Sequence, residues 1–285
     1  MKIGIDVGGT KCLGVALDEG GNVVHQVRLP TPHANKLGNT LVEIVAQLGE
    51  FSSLGIGVPG LISPEGVIRA SPNLVGANEL PLRALMEERL GREVMIENDA
   101  TCAALGEWQV GAAIGATDAW VITLGTGIGG GFISGSVLQR GAHGFAGEVG
   151  HMVVDPDGPV CPCGRRGCWE RFASGNGLSF LANGEKGEDV LSRAHAGEAD
   201  AMSVVDTFAQ WVALGLVNLT NLTDPEVIVI GGGVIVSADV VMPRVQHWFG
   251  QLLYSPQHRA HPRLAAAQLG ETAGAIGAAM LCTTV

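Results

Sequence analysis

The chain has 285 residues, 46% of them hydrophobic and 16% charged, which excludes disorder as its main character and leaves length for one large core or two modest ones. Acidic residues outnumber basic ones 28 to 17, for a formal net charge of -11. No Lys/Arg run forms a stripe that could neutralise a polyanion, so no nucleic-acid partner is expected. The 43 glycines follow no collagen period and point to tight turns and close backbone approaches.

Met1–Asp6 reaches a polar residue too soon for a signal peptide, and no later apolar run reads as able to span a bilayer. A cytoplasmic protein with no membrane partner is the expectation. Three apolar runs, Ile3–Val7, Leu13–Leu17 and Val23–Leu29, are parted by turn signals at Gly8-Gly9-Thr10 and Glu19-Gly20-Gly21-Asn22 and predict an antiparallel meander. A helix around Leu41–Leu48, a strand at Leu54–Val58 and a helix from Pro81 to Leu90 closed by Gly91 follow. A short strand, Val94–Ile96, runs into Glu97-Asn98-Asp99 and a small-residue helix to about Val110.

The pattern then restarts with a strand at Ala119–Leu124, a Gly-rich turn over Gly125–Gly131 and a strand at Gly131–Ser134, an echo that predicts internal duplication. A helix from about Met202 to Leu222, a buried strand at Val227–Ile230 and an Ala/Gly-rich helix over Thr272–Leu281 complete the pass. The expected domains are 1–117 with the returning segment 271–285, and 118–270.

In Asp6-Val7-Gly8-Gly9-Thr10-Lys11, glycines between two strands let backbone N–H groups approach an anion, Thr10 adds a hydroxyl donor and Asp6 can hold hydrated Mg²⁺. A plain hairpin turn explains the hexapeptide equally well. The second turn offers the same chemistry through Gly125, Thr126, Gly127 and Gly129, and two such turns in duplicated halves favour phosphate binding. Gly231-Gly232-Gly233 after a buried strand permits close approach to an adenosine.

Three cysteines, Cys161, Cys163 and Cys168, crowd one loop whose Pro162, Gly164 and Gly167 let the backbone fold around an ion. His151 completes a tetrahedral Cys₃His set with no ligand position open for water, the pattern of a structural Zn²⁺ rather than a catalytic one. A redox-active thiol cluster is the alternative; nothing like a thioredoxin context surrounds it.

These motifs, together with Glu97-Asn98-Asp99-Ala100, Gly147-Glu148-Val149-Gly150-His151 and the Cys-x-Cys-Gly-x-x-Gly-Cys-x-Glu run from Cys161 to Glu170, occur in the order seen in the ROK family of bacterial sugar kinases, repressors and uncharacterised open reading frames. The chain most resembles the family's glucokinases, over nearly its whole length. The resemblance implies an α/β, two-domain, actin-like ATPase (ribonuclease H-like) fold with sugar and ATP meeting in an interdomain cleft.

Phosphorylating a hydroxyl calls for a carboxylate that accepts its proton, and Asp99 at a strand end suits that task, with Asn98 beside it able to donate and accept. An isolated Asn-Asp pair is more often a helix cap; the resemblance carries the general base onto Asp99 and a sugar contact onto Asn98. It also places Glu148, His151 and Glu170 around the sugar, sets the Gly60 backbone against it and brings Asn73 to the same pocket. One ring nitrogen of His151 would face the metal and the other a sugar hydroxyl. Leu74–Asn78 departs from many glucokinases, which often carry Trp near Ala77.

The resulting expectation is an ATP- and Mg²⁺-dependent hexose kinase converting glucose to glucose 6-phosphate, assembled as the family's dimers or tetramers are. Mannose, fructose, N-acetylglucosamine or N-acetylmannosamine as acceptor, or polyphosphate as donor, would keep the fold. A sugar-sensing regulator is the non-enzyme alternative, and the phosphate turn beginning at Asp6 leaves no room before it for the family repressors' DNA-binding segment.

Overall fold

The computed structural model describes residues 1–283; Thr284 and Val285, the end of the expected returning segment, lie outside the described residues. In chain order the elements are β1 (Lys2–Val7), β2 (Lys11–Leu17), β3 (Val23–Pro30), α1 (Ala34–Leu48), β4 (Ser53–Val58), β5 (Leu61–Ile62), β6 (Ile68–Ala70), α2 (Leu82–Leu90), β7 (Met95–Asn98) and α3 (Asp99–Val110). There follow β8 (Ala119–Leu124), β9 (Ile128–Ser134), β10 (Val137–Gln139), α4 (Glu170–Ala173), α5 (Gly175–Leu181), α6 (Gly187–His195), α7 (Ala199–Thr223), β11 (Val227–Gly231), α8 (Ala238–Leu252), β12 (Arg263–Ala266) and α9 (Ala273–Met280).

The chain divides into two compact units, one of residues 1–115, 131–147 and 269 onward, the other of 116–130 and 148–268. The return of the last segment to the first unit matches the expectation to within two residues, but the expected crossing at 117/118 becomes three, at 115/116, 130/131 and 147/148. The stretch 131–147 joins the first unit for local reasons: a Cβ on Gly131 would meet that of Ala104 at 2.3 Å, and Arg140 pairs with Glu97.

In the first unit the sheet runs β3-β2-β1-β4-β7, a hairpin meander extended by parallel pairing of β1 with β4 and of β4 with β7. Its alternating residues bury Ile3, Ile5, Val7, Leu54, Ile56 and Val58 completely. Helix α1 begins seven residues earlier than the sequence pattern indicates. Gly38 and Asn39 weaken the local signal, and the stripe Leu37, Leu41, Ile44, Val45 and Leu48 wins by burial.

Helix α9 lies flush on this sheet and on α3. Gly4 and Gly55 face the α9 backbone so closely that a Cβ on either would stand 1.9 Å from a carbonyl oxygen, of Ala275 and Ala278 respectively, and one on Gly277 would stand 1.7 Å from Cys102 O. Glu107, 1% exposed, clamps the chain turns nearby by accepting the Ala112 and Leu269 N–H groups, each at 2.8 Å.

The second sheet, β10-β9-β8-β11-β12, repeats the strand order of the first, and β8, β11 and β12 are parallel. The boundary between the units falls inside β9, between Gly130 and Gly131. Helix α7 is the second unit's central helix. Gly215 in its middle admits the indole of fully buried Trp169, which donates from Nε1 to Trp211 O at 2.7 Å and so seats the end of the cysteine loop on α7. One correction concerns this helix: against the sequence expectation, it is long and apolar enough by composition to cross a bilayer, with a window of mean hydropathy 1.3. Half of that window is buried inside the protein, and α7 packs on α4, α5, α6 and α8 as a core helix does.

Candidate active site

In the first unit Asp6, Gly60, Asn98 and Asp99 lie at the carboxyl ends of parallel strands, where open α/β sheets bind ligands, and in the second the Gly125–Gly127 and Gly231–Gly233 runs do. In the first unit the register sets Asp6 beside Gly57, Gly57 beside Glu97 and Val58 beside Asn98, so the exits of β1, β4 and β7 lie side by side. The β1 exit is the turn Gly8-Gly9-Thr10, closed by Gly8 N–H on Lys11 O at 2.8 Å and by the Thr31 hydroxyl on Gly8 O at 2.6 Å. The β4 exit is Gly60, whose φ of +109 and 2.2 Å Cβ clearance to Ala70 O admit only glycine. The β5–β6 ribbon then returns the chain so that Asn73 O lies beside Gly9.

Asn98 is held at three atoms. Its N–H donates to Glu97 Oε1 at 3.0 Å, its Oδ1 accepts from Thr101 N at 3.0 Å as the N-cap of α3, and its Nδ2 donates to Gly60 O at 3.1 Å. The cap foreseen as the bland alternative for this dipeptide is therefore real, and it is made by Asn98. Asp99, the first residue of α3, is half-buried, and its carboxylate accepts from its neighbour, Ala100 N, at 2.9 Å. Burial raises the Asp99 carboxyl above its ordinary range, and the Ala100 and Asp99 N–H groups hold it partway back. Asp6 is pushed up to about 7, first by burial and then by the charge of Asp99, with Lys11 opposing. A cation would relieve this repulsion, so Asp6 fits the Mg²⁺ role.

Lys11 does not stand free: its Nζ lies 2.5 Å from Glu271 Oε2, and Arg28 binds the same carboxylate. Neither partner was legible, because Glu271 is 260 residues from Lys11.

In the second unit, Gly125-Thr126-Gly127 is the tight turn from β8 into β9, with Gly125 N–H on Gly127 O at 3.0 Å, and Gly129 lies within β9 itself. Gly231 pairs with Thr123 in register, and Gly232, at a φ of +90, packs its backbone on Leu124. The Gly231–Gly233 run thus lies beside the end of β8, next to the second turn. Glu170 reaches the same turn: a Cβ on Gly127 would stand 2.6 Å from Glu170 Oε2.

His151, Cys161, Cys163 and Cys168 offer ligand atoms all within 4.8 Å of one another. The Cys163 and Cys168 sulfurs are 3.5 Å apart, and Cys161 Sγ is 3.8 Å from His151 Nδ1, close to the ~3.7 Å edge of a zinc–thiolate tetrahedron. The donor set fits Zn²⁺. Glu148 Oε2 lies 3.8 Å from His151 Nε2, and Glu170 Oε1 lies 3.8 Å from His151 Nδ1, which groups the three residues around one imidazole.

Two sheets of identical strand order, each with a Gly-rich hairpin turn at its first strand's exit, define an α/β protein of the actin-like ATPase fold. The chain belongs to the ROK family, whose sequence profile matches residues 2–285. It is 34% identical to the glucokinase of Streptomyces coelicolor over 99% of this chain and 97% of that protein. It is also 32% identical to the xylose repressor of Bacillus spizizenii, over 97% of this chain and 75% of that protein. The crystal structure of a ROK family glucokinase from Streptomyces griseus in complex with glucose and AMPPNP is similar at a TM-score of 0.90 and 35% identity, with 98% of each chain covered.

Proposed function

We propose that the protein is an ATP-dependent hexose kinase that phosphorylates the 6-hydroxyl of glucose. The observation that carries this is the division of labour at the β7 exit: Asn98 makes the helix cap, and the adjoining half-buried Asp99 keeps its carboxylate for chemistry. Its raised pKa brings it toward the operating pH, as a general base requires. Likeness to the S. coelicolor and S. griseus glucokinases supports the choice of reaction and sugar.

In the first unit, Asp99 accepts the proton of the 6-hydroxyl as that oxygen bonds to the γ-phosphorus; the bond from the γ-phosphorus to the β,γ-bridging oxygen breaks, ADP leaves, and the proton passes from Asp99 to water. Asn98, Gly60 and Asn73 orient the hydroxyls, and the Gly8–Thr10 turn offers N–H and hydroxyl donors to phosphate. Asp6 would hold Mg²⁺, which when bound would supply neutralising charge for the phosphates. In the second unit, Glu148, His151 and Glu170 are hydroxyl partners, Gly125–Gly127 is the second phosphate turn and Gly231–Gly233 takes the adenosine. His151, Cys161, Cys163 and Cys168 would hold Zn²⁺ and so fix the loop that presents Glu170. The working protein is a homodimer or homotetramer, which sedimentation would read.

The test is ADP release with MgATP across glucose, mannose, fructose, N-acetylglucosamine and N-acetylmannosamine, with polyphosphate as an alternative donor. Glucose should give the highest kcat/KM. A different preferred sugar would overturn the substrate assignment, and no turnover with any pair would overturn the kinase.

A further inference from the structure

We propose that Glu97 and Arg140 are a positioning pair that holds the Asp99 carboxylate in place, an inference resting on Asp99 as the base. Glu97, 7% exposed, is the last residue of β7 before the Asn98-Asp99 pair. Its two oxygens are divided between two tasks: Oε2 accepts from Arg140 Nε at 2.6 Å, and Oε1 accepts the Asn98 N–H at 3.0 Å. One carboxylate therefore links a guanidinium to the Glu97–Asn98 peptide, one residue ahead of Asp99.

Arg140 is itself anchored. It follows β10, its carbonyl accepts the Ala146 N–H at 3.1 Å, and Gly144 beyond it packs on Ile62 O and Pro64. The pair thus fastens the Asn98-Asp99 corner to a separate loop of the same unit.

The chemistry exceeds what packing alone needs. A neutral amide would accept the Asn98 N–H, and an apolar side chain would fill the space without the desolvation cost that a buried carboxylate brings. The short bond of the pair is the charge-assisted one, from Arg140 Nε to Glu97 Oε2 at 2.6 Å. Burial pushes the Cys102 thiol, one turn into α3, well up, the charges of Glu97, Asp6 and Asp99 add to it, and Arg140 opposes. Arg140 gives the buried Glu97 carboxylate a partner of opposite charge.

The test compares Arg140→Met, Arg140→Lys, Glu97→Gln and Asp99→Asn in the full chain, with initial rates over both glucose and MgATP and a thermal melt for each variant. Arg140→Met and Glu97→Gln should each lower kcat about tenfold while both KM values stay within about twofold, and Arg140→Lys should recover most of the loss. A folded Arg140→Met enzyme with kcat within about twofold of the parent, or a loss confined to KM or to the melting temperature, would overturn the pair's role. If Glu97→Gln fails to fold, Arg140→Met, altered at a side chain 36% exposed, decides alone. Asp99→Asn reads the underlying assignment separately: full activity there would remove the base, whatever the pair does.

Discussion

Replacing Gly277 by alanine adds one carbon at the tightest helix contact in the first unit. That Cβ would stand 1.7 Å from Cys102 O, 2.6 Å from Cys102 C and 2.8 Å from Gly106 N, all backbone atoms of α3. No rotamer change can yield, so α9 and α3 must part by about 1.5 Å, which puts the cost at the upper end of overpacking, ~3 kcal/mol. Alanine's better helix propensity returns about 1 kcal/mol, leaving a net loss of ~2 kcal/mol and a fall in melting temperature of about 4–8 °C. Gly250 in α8 is the control, since a Cβ there meets nothing within 4 Å. The same substitution at Gly250 should stabilise by about 1 kcal/mol, a rise of about 2–4 °C. Scanning calorimetry of the two variants and the parent, without ligands, reads both signs. A Gly277→Ala protein that melts at or above the parent would refute the packing of α9 on α3.

Asp6 predicts a pH dependence. Its folded pKa of about 7 lies above the ordinary carboxyl value of 3.8, so between those values the folded state binds more protons than the unfolded one. Stability from this group is therefore lost as pH rises from about 4 to 7, by up to about 4 kcal/mol. In Mg²⁺-free buffer, Asp6→Asn should flatten the denaturation midpoint across pH 5–8 and exceed the parent at pH 8; an unchanged slope would contradict this. Asn98→Ala removes the α3 cap and leaves Gly60 O without its donor, which should lower stability by about 1–2 kcal/mol in urea titrations and lower kcat besides. Chelation, or Cys168→Ser, should release zinc measured by atomic emission, lower the melting temperature and raise KM for glucose; a metal-free protein with an unchanged melt would remove the structural zinc.

Motifs that depend on local backbone chemistry were legible in the sequence. The two Gly-rich turns, the Asn98-Asp99 corner and the Cys₃His loop are each short, and each assembles in the fold with its neighbours close. The restart at Ala119 also anticipated the repeated strand order. What escaped was of two kinds. Helices α4, α5, α6 and α8 and strands β5, β6, β10 and β12 went unread: α4 and these strands have two to four residues each, α5 has seven, α6 is mostly polar, and α8 carries Pro243 in its interior. Pairings across long separations, Lys11 with Glu271 and Glu97 with Arg140, leave no local trace, because neither partner's neighbours differ from those of an exposed charge. Glu97 stood inside a recognised motif, yet only the fold shows what its carboxylate holds.

The measurement that bears most directly on the whole account is Asp99→Asn, assayed for glucose-dependent ADP release and, in parallel, for glucose binding by calorimetry. The amide keeps the shape and the Ala100 N–H acceptor but cannot take the proton. Turnover should fall by about 10²–10⁴ while glucose affinity stays within a few-fold. An Asp99→Asn enzyme that turns over glucose at the parental rate would contradict the account.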